Sequence, residues 1–179
     1  MSSEKIEFKL VIEEDGKQIY SKTLSYESVA NITSNYDDSS ENIDYFSLAA
    51  KHPASTVREN VAYKDRISEE TVNQLSNDSS VSVLRNLVRT EGFREFATQD
   101  VIERLVKFDF EIAQSVAHNV EQFQQAEATK LYAILMGLSD PSIFYALAGN
   151  CNTPKKILKE LANHSDSYVS AAAKGSLGR

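Results

Sequence analysis

Five copies of one apolar pattern occupy most of this chain, and they restrict its fold to stacked short helices. In each copy a leucine is followed, seven to nine residues later, by a β-branched residue, and a further apolar residue comes four positions on. The three sets are Leu48, Leu75, Leu105, Leu135 and Leu161; Val57, Val83, Ile112, Ile143 and Val169; and Val61, Leu87, Val116, Leu147 and Ala173. The copies are offset by 26, 29, 31 and 26 residues, which is typical of stacked supersecondary units. Because residues i and i+4 share a helix face, each copy predicts a helix with one buried side.

Polar residues in each copy mark where its helices begin. Asp109, Asp140 and Asp166 precede the β-branched positions by three residues, where a carboxylate accepts the free N–H groups of a first turn, and Pro141 suits the first helical position. These residues predict the starts of the second helices. Ser68, Thr98 and Thr153, the last followed by Pro154, predict the starts of first helices. Each copy is therefore a pair of short helices that must stack on neighbours to bury its apolar stripe.

The last copy, from Asn152 to Ala173, resembles the leucine-rich repeat variant, a compact relative of HEAT repeats, and Leu48 to Ala62 is a second similar copy. The resemblance covers roughly residues 45–175 and is looser in the middle copies. It implies an α-solenoid that serves as an interaction surface and has no shared catalytic residue set. Some relatives hold an iron–sulfur centre on a cysteine cluster, which the single Cys151 excludes here. We predict a mainly α fold, a right-handed α-solenoid of about five helix-pair repeats.

The N-terminal segment differs from the repeats. Alternating apolar residues around Asp15 and Gly16 predict a β-hairpin over the first 24 residues, whose apolar face should rest on the first helices or on a partner and cap the stack. A short helix over residues 26–32 and an acidic linker or mobile loop over residues 33–42 should follow. We therefore divide the chain into residues 1–44 and a helical repeat domain at residues 45–179.

Composition and charge limit the cellular compartments and the classes of partner that are expected for this chain. The net charge is -7 and is concentrated in the first 47 residues, so nonspecific binding to nucleic acid is disfavoured. A single cysteine, no apolar signal-peptide core and no long apolar stretch favour a cytoplasmic protein without a membrane span.

Isolated reactive side chains do not predict an enzyme, a cofactor or a metal. Cys151 has no local histidine signature and is expected to be a buried or half-buried thiol. His52, His118 and His164 lie too far apart for a metal motif and are expected in solvated turns. No clustered nucleophile, base and oxyanion donor is recognisable.

Two groups of residues are candidates for binding another protein. Arg58 and Arg85 fall in neighbouring second helices and are expected to align, with Arg89 nearby, as a stripe on the layer that is usually concave. Arg94, Lys64 and Arg66 extend this basic group. Among the aromatic residues, at least one of Phe144 and Tyr145 should point away from the core and act as an interface anchor.

The predicted function is a non-enzymatic protein–protein interaction module that binds through its second-helix layer. The predicted contacts are Arg58, Arg85, Arg89, Phe144 and Tyr145. Two alternatives remain open at this point. One is nucleic-acid binding through the arginine stripe, and the other is a small antagonist or immunity-type protein that uses its acidic N-terminal segment. The oligomeric state does not follow from the sequence.

Overall fold

The computed structural model of the chain describes residues 6–178, which are mainly helical. At the N-terminus, β1 (Lys9–Glu14) and β2 (Lys17–Thr23) form an antiparallel hairpin. The α-helices of the described residues are α1 (Tyr26–Asn35), α2 (Ile43–Ala49), α3 (Ser55–Val61), α4 (Glu69–Leu75), α5 (Val81–Leu87), α6 (Glu91–Phe96), α7 (Gln99–Phe108), α8 (Phe110–His118), α9 (Ala128–Gly137), α10 (Pro141–Gly149), α11 (Lys155–Leu161) and α12 (Ser167–Leu177). The predicted fold class, mainly α with an N-terminal hairpin, is confirmed. None of these helices is both long and apolar enough to cross a membrane.

The chain separates into two compact units, unit 1 (Met1–Gly92) and unit 2 (Phe93–Arg179). The predicted helix pairs correspond to α2 with α3 and α4 with α5 in unit 1. In unit 2 they correspond to α7 with α8, α9 with α10 and α11 with α12. The arrangement of all five pairs as one solenoid remains a prediction, as does the division into residues 1–44 and 45–179.

The apolar pattern of the second helices is confirmed. Both members of each i, i+4 pair are buried in every copy, with at most 2% of the residue exposed at Val57, Val61, Val83, Leu87, Ile112, Val116, Ile143, Leu147, Val169 and Ala173. Within unit 1, α3 packs against α5, and within unit 2, α10 packs against both α8 and α12. We call each of these rows the second-helix layer of its unit.

The leucine pattern of the first helices holds in four copies and is wrong in one. Leu75, Leu105, Leu135 and Leu161 are buried, whereas Leu48 is 47% exposed. In α2 the buried residues are Phe46 and Ala49, three residues apart and therefore on one helix face. Leu48 lies about 100° around the axis from Ala49, as the 3.6-residue turn requires, and faces solvent.

The hairpin does not cap the helices as predicted. Every residue of β1 and β2 is exposed, and the hairpin contacts the rest of unit 1 at its base, where Phe8 packs against Tyr45 and His52. The first helix takes the capping position instead: α1 packs against α3 and buries Val29 and Ala30. An isolated two-stranded sheet has one apolar face to bury, and a helix offers a broader stripe for the end of a helical row.

The acidic segment after α1, predicted as a linker or a mobile loop, makes specific contacts with the turn that follows α3. Asp38 accepts hydrogen bonds from the backbone N–H groups of Asp65 and Arg66, at 2.7 and 2.8 Å. Lys64, which is buried, donates to the backbone oxygens of Ser34 and Tyr36. The segment therefore ties α1 to the turn that follows α3.

Most predicted helix starts are confirmed. The carboxylates of Asp109, Asp140 and Asp166 accept first-turn N–H groups of α8, α10 and α12, and Ser68 caps α4 in the same way. Thr153 is an exception, because its hydroxyl donates to the backbone oxygen of Leu147 and α11 begins after Pro154.

Two histidine side chains accept backbone hydrogen bonds in the turns between helices. In the first and last copies, Nδ1 of His52 accepts from the Ala54 N–H and Nδ1 of His164 accepts from the Asp166 N–H, each at 3.0 Å.

Cys151 is exposed in the turn after α10, so the prediction of a buried or half-buried thiol is wrong.

Candidate protein-binding surface

Arg58 was the first residue of the predicted arginine stripe, and its guanidinium is engaged within unit 1. Its Nε lies 2.6 Å from Oδ2 of Asp78 and its Nη2 lies 2.9 Å from Oδ1 of the same carboxylate. Nη1 donates to the backbone oxygens of His52 and Pro53. Arg58 thus joins the turn that precedes α3 to the turn that precedes α5.

The pair is largely removed from solvent, with 15% of the Arg58 side chain and 6% of the Asp78 side chain exposed. Burial by itself would raise the pKa of Asp78, but hydrogen bonds from Arg58 and from the Ser80 N–H outweigh it and lower that pKa. The hydrogen bond to Asp78 raises the pKa of Arg58. Both groups are therefore charged at neutral pH and their contact is a fork-to-fork ion pair.

The predicted alignment of Arg58 with Arg85 is wrong in register. Arg58 follows the buried Val57 by one residue, whereas Arg85 follows the buried Val83 by two. One residue rotates a side chain by about 100° on a helix, so the two arginines lie on different faces of α3 and α5. Arg89 is exposed two residues beyond α5. The assignment of Arg58, Arg85 and Arg89 to partner binding remains a prediction.

The aromatic pair in α10 divides between core and surface. Phe144 is 8% exposed and packs edge-on against His164, with ring centroids 5.2 Å apart, whereas Tyr145 is 49% exposed. Ile143 and Leu147 fix the buried face of α10, and this places Phe144 at its border and Tyr145 outside it. The expectation that one of the two points outward is confirmed for Tyr145.

Tyr145 lies in a shallow groove on the second-helix layer of unit 2. The groove has a volume of about 320 Å³, and its lining comes from three helices and one helix cap: Gln114 of α8, Pro141, Ser142 and Tyr145 of α10, Asp166 at the start of α12, and Tyr168 and Val169 of α12. We call it the tyrosine groove. Tyr168, which is 76% exposed, is not among the contacts predicted from the sequence.

Helix caps determine both the geometry and the charge of the tyrosine groove. Its walls are fixed by helix caps: Asp140 accepts from the N–H of Ser142, and Asp166 accepts from the N–H groups of Tyr168 and Val169. The hydrogen bonds from the side chain and backbone of Ser142 hold the pKa of Asp140 below its usual value, so this cap is charged at neutral pH. The groove therefore combines exposed aromatic rings with a negatively charged border.

The sequence did contain a signal for Tyr168. Tyr168 follows the helix cap Asp166 by two residues, so it belongs to the first turn of α12. The buried stripe of α12 is formed by Val169 and Ala173. Tyr168 therefore lies beside this stripe and not on it. Its proximity to Tyr145 depends on how α10 and α12 pack, which the sequence does not specify.

A second cavity of unit 2, of about 420 Å³, lies between α9 and α11 and is lined by residues that include Tyr132, Glu121, Lys156 and Glu160. The Tyr132 hydroxyl is buried and has no hydrogen bond of good geometry within the described part of the chain, although Thr153 and Glu121 lie near it. Burial raises the pKa of Tyr132 to about 12, so the phenol is neutral at physiological pH. Charged residues of both signs line this cavity, whereas Asp166 is the one charged residue among the described residues that line the tyrosine groove.

Within residues 6–178, no group of three or more histidine, cysteine, aspartate or glutamate side chains is placed to hold a metal ion. Comparison with known proteins adds no functional assignment, because no protein-family model, curated protein or solved structure matches the chain.

Proposed function

We propose that the protein is a non-enzymatic interaction module that binds another protein through the second-helix layer of unit 2. The observation that carries this proposal is the tyrosine groove, in which Tyr145 and Tyr168 are exposed beside each other on adjacent helices. Tyrosine supplies a large contact area at a low cost in conformational entropy, and it is enriched at the energetic centres of protein interfaces.

The charge around the groove indicates the chemistry of the partner. Helix α10 has no charged residue, and the caps beside it, Asp140 and Asp166, are acidic. A partner segment that inserts an apolar side chain between the tyrosines and carries lysine or arginine beside it would match both features. The proposed partner is therefore a protein with an apolar anchor and a basic flank.

The two alternative functions have weaker support. Among the six cations of the basic group, Arg58 and Lys64 donate to acceptors within unit 1, which leaves fewer charges for phosphates. In the acidic N-terminal segment, Asp38 is similarly engaged with backbone N–H groups. Because these residues have structural roles, fewer charged side chains remain for nucleic-acid binding or for an antagonist that acts through its acidic segment.

The proposal can be tested by quantitative affinity capture from nuclease-treated extract of the source cells. The full chain serves as bait beside a Tyr145→Ala/Tyr168→Ala variant. We expect proteins captured by the unaltered chain to be depleted at least about tenfold with the double variant, since truncation of interface anchors typically costs 2 kcal/mol or more.

Tyr63→Ala provides the matched control, because Tyr63 is 62% exposed but lies in unit 1, directly after α3 and Ala62. It should retain the captured proteins. An unchanged set of proteins with the double variant would contradict the proposal, as would capture that is lost equally with Tyr63→Ala. Circular dichroism of each variant establishes that the fold is intact.

A further inference from the structure

The hairpin presents an apolar face that nothing in the described chain covers. Phe8 and Leu24 lie on this face at the base of the hairpin and are partly buried, while Leu10, Ile12 and Tyr20 continue it outward and are 49%, 47% and 45% exposed. Lys22, the partner of Leu10, shares this face. The opposite face carries polar residues and Val11. An isolated two-stranded sheet with this pattern is only marginally stable in water, so additional strands would stabilise it.

The outer edge of β1 is regular and available for pairing. Leu24 donates its N–H to the oxygen of Phe8 at 2.8 Å, which makes Phe8 and Leu24 a hydrogen-bonded pair. Because hydrogen-bonded and non-hydrogen-bonded pairs alternate in an antiparallel ladder, the backbone groups of Lys9, Val11 and Glu13 point away from β2. In the described residues the sheet has only two strands, so these groups face no third strand.

The outer edge of β2 is different. Ile12 pairs with Tyr20 and Glu13 pairs with Gln18, so Ile19 is an extra residue and forms a bulge. The charged residues of β2, Lys17 and Lys22, are both basic. Bulges and lysines are the devices by which natural edge strands avoid pairing. Strand β1 has one lysine, Lys9, and no bulge. The available edge is therefore that of β1.

The charges of β1 are complementary to a second copy of β1 running in the opposite direction. If Val11 lies opposite Val11 of the second copy, Lys9 lies opposite Glu13 of that copy, and Glu13 lies opposite its Lys9. In the same register Leu10 lies opposite Ile12 of the second copy, on the apolar face. The register also uses the outward-facing backbone groups of Lys9, Val11 and Glu13 as its hydrogen-bonded positions.

We propose that the protein forms a symmetric homodimer in which the β1 strands of two chains pair antiparallel about Val11, giving a continuous four-stranded sheet. The dimer joins three apolar side chains from each hairpin, Leu10, Ile12 and Tyr20, into one face. It is independent of the tyrosine groove, which lies in unit 2.

The dimer is expected to be weak. One strand pair buries less than the roughly 1,200 Å² of a standard protein interface, so a dissociation constant on the order of 100 µM is expected. Within one chain Lys9 lies 3.4 Å from Glu7, and both side chains are more than 40% exposed. An exposed pair of this kind contributes little, so it does not prevent Lys9 from pairing across the dimer.

Sedimentation velocity of the full chain, from about 1 µM to about 1 mM, tests the proposal. A reversible, concentration-dependent dimer is expected. Val11→Pro removes the outward N–H at the symmetry axis without removing a hydrogen bond of the hairpin, and it should weaken the dimer by more than about tenfold. Ser21→Pro is the matched control, since Ser21 faces Val11 and has its own N–H on the outer edge of β2, and it should leave dimerisation unchanged.

Charge reversal provides a second, independent test of the proposed pairing between the two β1 strands. Lys9→Glu alone and Glu13→Lys alone each create two like-charge pairs by symmetry and should weaken the dimer about tenfold, whereas the double variant should restore it. A chain that is monomeric throughout the concentration range overturns the proposal; the edge of β1 would then be available only to a different protein. A dimer that is insensitive to Val11→Pro, or one that the double charge reversal does not restore, also overturns it.

Discussion

The second-helix layers of the two units share one apolar pattern but differ in what their remaining side chains do. In unit 1, α3 carries an arginine whose ion pair and backbone contacts connect successive turns. In unit 2, α10 has no charged residue, and Tyr145 points to solvent beside Tyr168. A common core pattern therefore leaves the outer positions free to stabilise the packing of helices in unit 1 and to form a groove with exposed tyrosines in unit 2.

The largest expected effect concerns the ion pair of unit 1. Asp78→Ala leaves the partly buried Arg58 without its carboxylate, and loss of one partner of a buried pair should lower the free energy of unfolding by about 3 kcal/mol. Urea unfolding followed by circular dichroism measures this change.

Glu70→Ala is its control, because Glu70 lies 3.5 Å from Lys51 in an ion pair whose side chains are 79% and 44% exposed. We expect a change below about 0.5 kcal/mol for this surface pair. Equal effects of the two substitutions would show that the contact between Arg58 and Asp78 does not stabilise unit 1 in the way proposed.

The pH dependence of stability tests the contribution of the Arg58–Asp78 ion pair in a second way. The folded-state pKa of Asp78 is lowered from its ordinary 3.8, so its ion pair contributes fully above that pH and the contribution is lost as the pH falls through the lower folded value. The stability difference between the unaltered chain and Asp78→Asn should therefore shrink below about pH 3.8. Urea unfolding at a series of pH values tests this, and a difference that stays constant down to pH 2 would contradict it.

The smallest effect is expected in the tyrosine groove. Tyr168→Ala removes a side chain that is 76% exposed, so the free energy of unfolding should change by less than about 0.5 kcal/mol even where partner capture is lost. Thermal unfolding measures it. A loss of 2 kcal/mol or more would mean that Tyr168 is part of the fold, and the contrast between the two layers would fail.

Several parts of this structure could be predicted from residue spacing because the relevant interactions are local. Four residues make about one helical turn, so pairs such as Val57 with Val61 and Ile143 with Leu147 identify the buried faces directly. A carboxylate three residues before such a face caps its own helix, as Asp109 and Asp166 do.

The role of Arg58 could not be predicted in this way. Its carboxylate partner, Asp78, is 20 residues away in a turn that reaches it only when α3 and α5 pack together. The same limit applies to the tyrosine groove, whose two rings come from different helix pairs.

Residue spacing alone predicts the helix pairs, most of their buried stripes and the strands of the hairpin, because periodicity and capping act within a few residues. Packing between segments fixes three further features: α1 takes the capping position, the hairpin extends with both faces exposed, and Tyr145 and Tyr168 share a groove. Spacing does not predict these features, because burial and ion pairing depend on which segments pack together. Residue spacing describes one segment at a time, whereas a surface is made by several.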